Sequence, residues 1–221
     1  MLKKWIDEIR AKSNLYKTEC WKYHLSGNVI ELSILPAYLK QNESYRCSVI
    51  AVGQVLNALS KKIEKGHLNF HIQSFPNLES PEIVAAIRTG EKNEFTGNST
   101  WKKVIDSDDQ DAISMIYKYA ERYQLDVQKA DNLSQADPNK EIPFEDYPTW
   151  LALYSRFNNP FTWLNIGYLK ECLRYDFSNS SKSEQLRIID FCSINTKQYP
   201  NLKVPENKFI QSLIGIRSMN M

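Results

Sequence analysis

The chain has 221 residues, 42% hydrophobic and 24% charged, the composition of a folded globular chain, which excludes disorder as the main state. A formal net charge of +2 is too balanced for a chain that lives on phosphate backbones, so no nucleic acid is expected as a partner. With no run of about 18 apolar residues, no membrane span is expected either.

The opening Met1-Leu2-Lys3-Lys4-Trp5-Ile6-Asp7-Glu8 carries acids where a signal peptide has its apolar core, so a cytoplasmic location is expected. The cysteines agree. Cys20, Cys47, Cys172 and Cys192 form no Cys-x-x-Cys pair, so neither a disulfide framework nor a metal site is expected. Cys20 and His24 lie four apart, but zinc needs about four ligands.

In chain order, Leu2, Trp5, Ile6 and Ile9 recur at three and four and predict a short amphipathic helix. Trp21, Tyr23 and Leu25 alternate with polar residues, as do Ile30, Leu32 and Ile34. Ser26-Gly27-Asn28 between them predicts a β-hairpin, because Gly and Asn tolerate positive φ. After Pro36 a long helix is predicted from Ser44 to Lys65, with Val49, Val52, Leu56, Leu59 and Ile63 on one stripe. Gly53 in its middle costs about 1 kcal/mol relative to Ala and marks the close approach of a backbone or a flat ligand. Leu68 to Phe75 reads as a strand. Pro81 followed by Ile83, Val84 and Ile87 reads as a short helix. Gly90 to Thr100 reads as a loop, and Asp106 to Asp109 as the acidic start of a helix whose inner face is Ile113, Ile116, Tyr117 and Ala120. Leu125 to Gln128 reads as a short strand. Residues 130–148 read as a loop or lid, with prolines at 138, 143 and 148. Helices are predicted at Trp150–Tyr154, after Pro160, and at Lys182–Ile194, and a closing strand at Phe209–Arg217. No internal repeat is read. The expected organisation is one domain, 1–221, of mixed α and β class.

Several chemistries are excluded. The chain has no phosphate loop, no Gly-x-Gly-x-x-Gly after a strand and no Gly-x-Ser-x-Gly elbow. Its three histidines, His24, His67 and His71, stand in no triad-like arrangement. What stands out is Arg10, Lys12, Ser13 and Asn14 at the end of the first helix, together with Arg217 at the end of the last strand. Two kinds of cation and a hydroxyl suit a phosphate monoester. The alternative is a solvated basic surface, which the residues alone favour.

The segment Arg10-Ala11-Lys12-Ser13 with Thr18-Glu19-Cys20-Trp21-Lys22-Tyr23-His24-Leu25-Ser26-Gly27-Asn28-Val29-Ile30-Glu31-Leu32 resembles the Acg-like branch of the nitroreductase superfamily. Tyr45-Arg46-Cys47-Ser48-Val49-Ile50-Ala51-Val52-Gly53, Trp163-Leu164-Asn165-Ile166-Gly167 and Leu213-Ile214-Gly215-Ile216-Arg217 extend the likeness. The resemblance implies an α+β fold, a nitroreductase-like three-layer α/β/α sandwich with a mixed, mainly antiparallel sheet. It implies FMN, a homodimer, and electron transfer from NADH or NADPH to a small aromatic or quinone-like acceptor. Arg10, Lys12, Ser13 and Arg217 would hold the FMN phosphate. Thr18 and Glu19 would reach the flavin ring, while Trp21 would pack. No catalytic acid or base is implied, because the flavin carries the redox chemistry.

Two departures matter. The branch's Asn-Thr-Gln-Pro-Trp stands here as Lys17-Thr18-Glu19-Cys20-Trp21, so a donating amide has become an acceptor-only carboxylate. The Arg-rich stretch of the branch's second half is missing. A second reading is therefore a protein of this fold without turnover, which binds or sequesters flavin or another ligand, or acts as a partner subunit. A third is an unrelated α+β interaction domain.

Overall fold

The structure is a computed structural model that describes residues 1–77, 79–90, 111–130, 133, 144–179, 184–190 and 204–218. The chain divides into two compact units. The first comprises Met1–Val104 with Trp163–Glu171, and the second Ile105–Thr162 with Cys172–Met221.

In the first unit, helix α1 (Leu2–Arg10) buries Leu2, Ile6 and Ile9, as its periodicity predicts. A four-residue helix, α2 (Ser13–Tyr16), follows. Strands β1 (Trp21–Ser26) and β2 (Val29–Ile34) form the expected hairpin, with Gly27 at φ 58 in its turn. Pro36 opens a short helix, α3 (Pro36–Leu39), and α4 (Asn42–Lys65) is the long predicted helix. Its stripe of Val49, Val52, Val55, Leu56, Leu59 and Ile63 is fully buried. Strands β3 (Asn69–Ser74) and β4 (Ile83–Gly90) complete a four-stranded sheet in the order β1-β2-β4-β3.

In the second unit, α5 (Ala112–Arg122) leads into β5 (Asp126–Lys129), a turn of 3-10 helix at Phe144–Asp146 and β6 (Thr149–Ser155). Helix α6 (Pro160–Asn179) contributes its middle to the first unit. Strands β7 (Glu184–Asp190) and β8 (Phe209–Ser218) close a sheet in the order β5-β6-β8-β7. One face of this sheet packs Trp150, Ala152, Tyr154, Ile210 and Leu213 against Leu133 and Phe144.

The class is α+β. Among the described residues all strand pairing is antiparallel and is divided between two sheets, where the sequence reading placed one mixed sheet. Three segments read as helices are strands. Ile83–Ile87 lies in β4, Trp150–Tyr154 in β6 and the described part of Lys182–Ile194 in β7. The reason is clearest at β6, a central strand whose residues from Trp150 to Ser155 are all buried, so no polar alternation survives to mark it. On α5 the inner face is Ala112, Met115, Ile116, Tyr119 and Ala120. Ile113 and Tyr117 face outward. Asp111 caps this helix. The acids at 106–109, the loop at 91–100 and most of 130–148 lie outside the described residues.

Cys20 and Cys172 are free thiols, but Cys47 is disulfide-bonded, contrary to the expectation of no disulfide. Sequence spacing cannot foresee such a bond, because it depends on Cα atoms brought within about 7 Å by the fold. No helix among the described residues is long and apolar enough to cross a membrane.

Candidate functional site

Five of the six predicted site residues lie on one continuous segment of the first unit, Arg10 to Glu19, between α1 and β1. Three buried side chains pin this segment from below. The Tyr16 hydroxyl donates to Glu171 Oε1 at 2.8 Å, in a fully buried pair. The Trp21 indole N–H donates to the Tyr16 carbonyl at 2.8 Å. The Cys20 thiol lies 3.0 Å from the Lys17 carbonyl, and the Cys20 backbone joins the chain to Leu35. Lys17 ends α2 in the left-handed region at φ 46, which turns the chain back toward the hairpin. Trp21 is therefore a packing residue, as expected.

The polar residues face the other way. Arg10, Lys12, Ser13 and Glu19 are exposed, and Thr18 is half-buried. Arg10 stacks over the Tyr23 ring, its guanidinium carbon 5.8 Å from the centroid, and the Tyr23 hydroxyl donates to Asp7 at 2.8 Å. That bond, with partial burial, holds the Tyr23 phenol above its ordinary pKa. On the outer side of α1, Lys62 donates to Glu8 at 2.5 Å. Lys62, with Lys4 and Lys12 nearby, holds that carboxyl below its ordinary value. Burial pushes the Cys20 thiol up, and a hydrogen bond with Ser48 opposes it.

Arg217 belongs to the second unit. It is half-buried on β8, donates to Gln185 Oε1 at 2.7 Å across the β7–β8 pair, and lies 5.6 Å over the Tyr147 ring. Its guanidinium thus already has a polar and an aromatic partner.

Two features escaped the sequence reading. Glu171 is a buried carboxyl on the apolar stripe of α6, four residues after Gly167. An acid breaking such a stripe is a signal that could have been seen. In the second unit, Tyr119 donates to Asp176, and Tyr123 lies 3.9 Å from the Cys172 sulfur. Burial, above all, drives the Tyr119 phenol well above its ordinary pKa. Nothing in the local sequence links those residues, which come from α5 and α6.

The donor set can be tested against a phosphorylated flavin. Arg10, Lys12 and Ser13 offer cations and a hydroxyl on an open surface, which suits a phosphate. Glu19, when ionised, only accepts. It suits a ring N–H and does not suit ring carbonyl oxygens. The close approach at Gly53 is taken by a backbone: a Cβ there would lie 2.2 Å from the Leu164 carbonyl oxygen on α6. That position therefore holds a helix crossing and no flat ligand. Among the described residues no group of three or more His, Cys, Asp and Glu side chains is placed to hold a metal ion.

Compared with protein-family models and with curated proteins, the chain matches none.

Proposed function

We propose that this chain is a divergent nitroreductase-like protein that binds FMN through the Arg10–Glu19 segment. In this reading Arg10, Lys12 and Ser13 take the phosphate, and Thr18 and Glu19 lie toward the ring. The observation that carries it is the segment's construction: a strap pinned by Tyr16, Cys20 and Trp21, with its cationic and hydroxyl groups turned to solvent. The hairpin and the long glycine-bearing helix that follow are those the resemblance calls for. The finer fold assignment, a nitroreductase-like α/β/α sandwich, belongs to the same proposal.

Bound FMN would supply the redox chemistry, between NADH or NADPH and a small aromatic or quinone-like acceptor. The chain's own part is to bind and orient. Arg10 and Lys12 neutralise the phosphate and Ser13 donates to it. Glu19 raises negative potential beside the ring, which opposes accumulation of negative charge there.

Glu19 is also the observation that favours the second reading, a protein of this fold that binds flavin without turnover. An absorbance spectrum of the purified protein, with and without added FMN, tests both. A flavin band with NADH or NADPH oxidation supports the oxidoreductase, and a flavin band without oxidation supports the binder. A colourless protein whose addition leaves FMN fluorescence unchanged refutes both. Exchange of Arg10 and Lys12 to Ala should weaken FMN binding at least tenfold.

A further inference from the structure

Strand β1 is an edge of its sheet, which runs β1-β2-β4-β3. Its hydrogen-bonding phase is set at the end of the hairpin. The Leu35 N–H donates to the Cys20 carbonyl at 2.9 Å, and the register continues from Trp21 with Ile34 to Ser26 with Val29. In an antiparallel pair, residues that exchange such bonds alternate with residues that do not. Lys22, His24 and Ser26 therefore bond to β2, and Trp21, Tyr23 and Leu25 turn their N–H and C=O groups away from it. Trp21 is buried, but Tyr23 and Leu25 are half-buried. Among the described residues no backbone hydrogen bond from outside the sheet reaches Tyr23 or Leu25.

The open stretch is thus Lys22 to Ser26. It has no proline, and its pairing with β2 runs without a bulge, so two of the usual means of closing an edge are missing. What guards it is charge. Lys22, His24 and Ser26 are exposed on the outer face of the sheet, while Tyr23 and Leu25 lie on the inner face with Leu32 and Ile30. Lys22 stands opposite Ser33 on β2 and makes no ion pair among the described residues. Glu31 shares this face opposite His24, one strand further from the edge. β1 itself has no acid, so its outer face offers an ammonium and an imidazole with no carboxylate between them. On the inner side the Tyr23 hydroxyl is taken by Asp7 at 2.8 Å and the ring lies under Arg10, which leaves Leu25 as the apolar margin.

These features select an occupant. Directly opposed residues have Cβ atoms about 4.5–5.5 Å apart, where opposite charges stabilise and like charges destabilise. A second copy of β1 fits poorly. The register that pairs Tyr23 with Leu25 in both directions sets His24 against His24 and Lys22 against Ser26, and supplies no acceptor carboxylate. An extended segment with carboxylates opposite Lys22 and His24 supplies both. Its intervening side chains fall on the inner face beside Tyr23 and Leu25, where apolar residues gain by burial.

We propose that β1 is a docking edge for an extended, antiparallel segment of a partner protein in which acidic residues, opposite Lys22 and His24, alternate with apolar ones. Main-chain bonds to Tyr23 and Leu25 give the affinity, and the alternation gives the specificity. The docking edge stands independently of flavin binding.

An acetylated and amidated peptide of alternating Glu and Val tests this on the full chain, by titration of amide resonances and by amide hydrogen exchange. At saturation the Tyr23 and Leu25 amides should exchange on the order of tenfold more slowly, because their N–H groups then donate to the peptide. Lys22→Glu, a surface change that leaves the β1–β2 ladder intact, should bind the peptide about fivefold more weakly. Leu25→Pro removes an outward donor and no bond to β2, and should weaken binding by a similar factor. Unchanged exchange at Tyr23 and Leu25 overturns the proposal, as does equal protection by a peptide with Lys in place of Glu. Slow exchange of these amides without peptide, in a protein that sediments as a dimer, assigns the edge to a second copy and overturns it too.

Discussion

Replacing Gly53 by Ala puts a methyl carbon where the three nearest atoms from outside its own helix turn are backbone: the Leu164 carbonyl oxygen at 2.2 Å, the Tyr168 nitrogen at 2.9 Å and the Gly167 Cα at 3.0 Å. No rotamer change relieves that. Ordinary contact distances are about 3.5 Å, so α4 and α6 must part by on the order of 1 Å along their crossing. A gap of that size forfeits roughly a quarter to a half of each dispersion well it opens. Overpacking of this kind typically costs about 1–3 kcal/mol and can exceed it. Against it stands the better helix propensity of Ala, about 1 kcal/mol in the other direction. Obstruction by unyielding backbone puts the clash at the top of the usual range, about 3 kcal/mol, so the net loss should be about 2 kcal/mol. For a chain of this size each kcal/mol moves the midpoint by about 2–4 °C, which gives a fall of about 4–8 °C. Circular dichroism at 222 nm follows the melt. A Gly53→Ala protein that melts at or above the parent temperature would refute the reasoning, because propensity alone would then be acting at an uncrowded site.

Further outcomes follow from the same structure. Tyr16→Phe removes the hydroxyl that donates to buried Glu171, and should cost about 1–3 kcal/mol by urea unfolding. An unchanged midpoint would show that the hydroxyl does not help hold the strap. Asp111 accepts from the Ser114 N–H at 2.9 Å as the cap of α5, and Asp111→Ala should cost about 1 kcal/mol in the same assay. Cys20 sets an alkaline limit. Burial raises its folded pKa above the ordinary value of 9.0, so the folded state keeps its proton longer than the unfolded chain does. The contribution is whole below pH 9.0 and is lost as pH rises through the folded value. Tyr45, Tyr119 and Tyr154, all raised mainly by burial, act in the same direction at higher pH. Urea midpoints should therefore fall above pH 9.0, and less steeply in Cys20→Ala. A parallel slope in the variant would count against a buried thiol.

Much of the candidate site was legible because it is local. Arg10, Lys12, Ser13, Thr18 and Glu19 are neighbours along the chain, so any fold that ends α1 at Arg10 presents them together. Their exposure was not legible. It follows from which of the intervening residues, Tyr16 and Cys20, find buried partners at Glu171 and Ser48, far away in sequence. The surroundings of Arg217 are of the same kind, since Gln185 reaches it only through the β7–β8 register.

By itself the sequence determined the elements whose burial is one-sided or whose ends are punctuated: α1, the β1–β2 hairpin with its Gly27 turn, α4 and the closing strand. Local periodicity and turn chemistry are enough there: α1 and the hairpin meet water on one face, while α4 and the closing strand, buried on both sides over most of their length, are marked by helical spacing and by a run of β-branched residues. Tertiary structure alone decided that β4, β6 and β7 are strands, that Cys47 pairs, and that Gly53 receives a helix. In β6 both faces are covered, which erases the alternation a reader needs, and at Gly53 the obstructing carbonyl is contributed by Leu164 from a distant part of the chain.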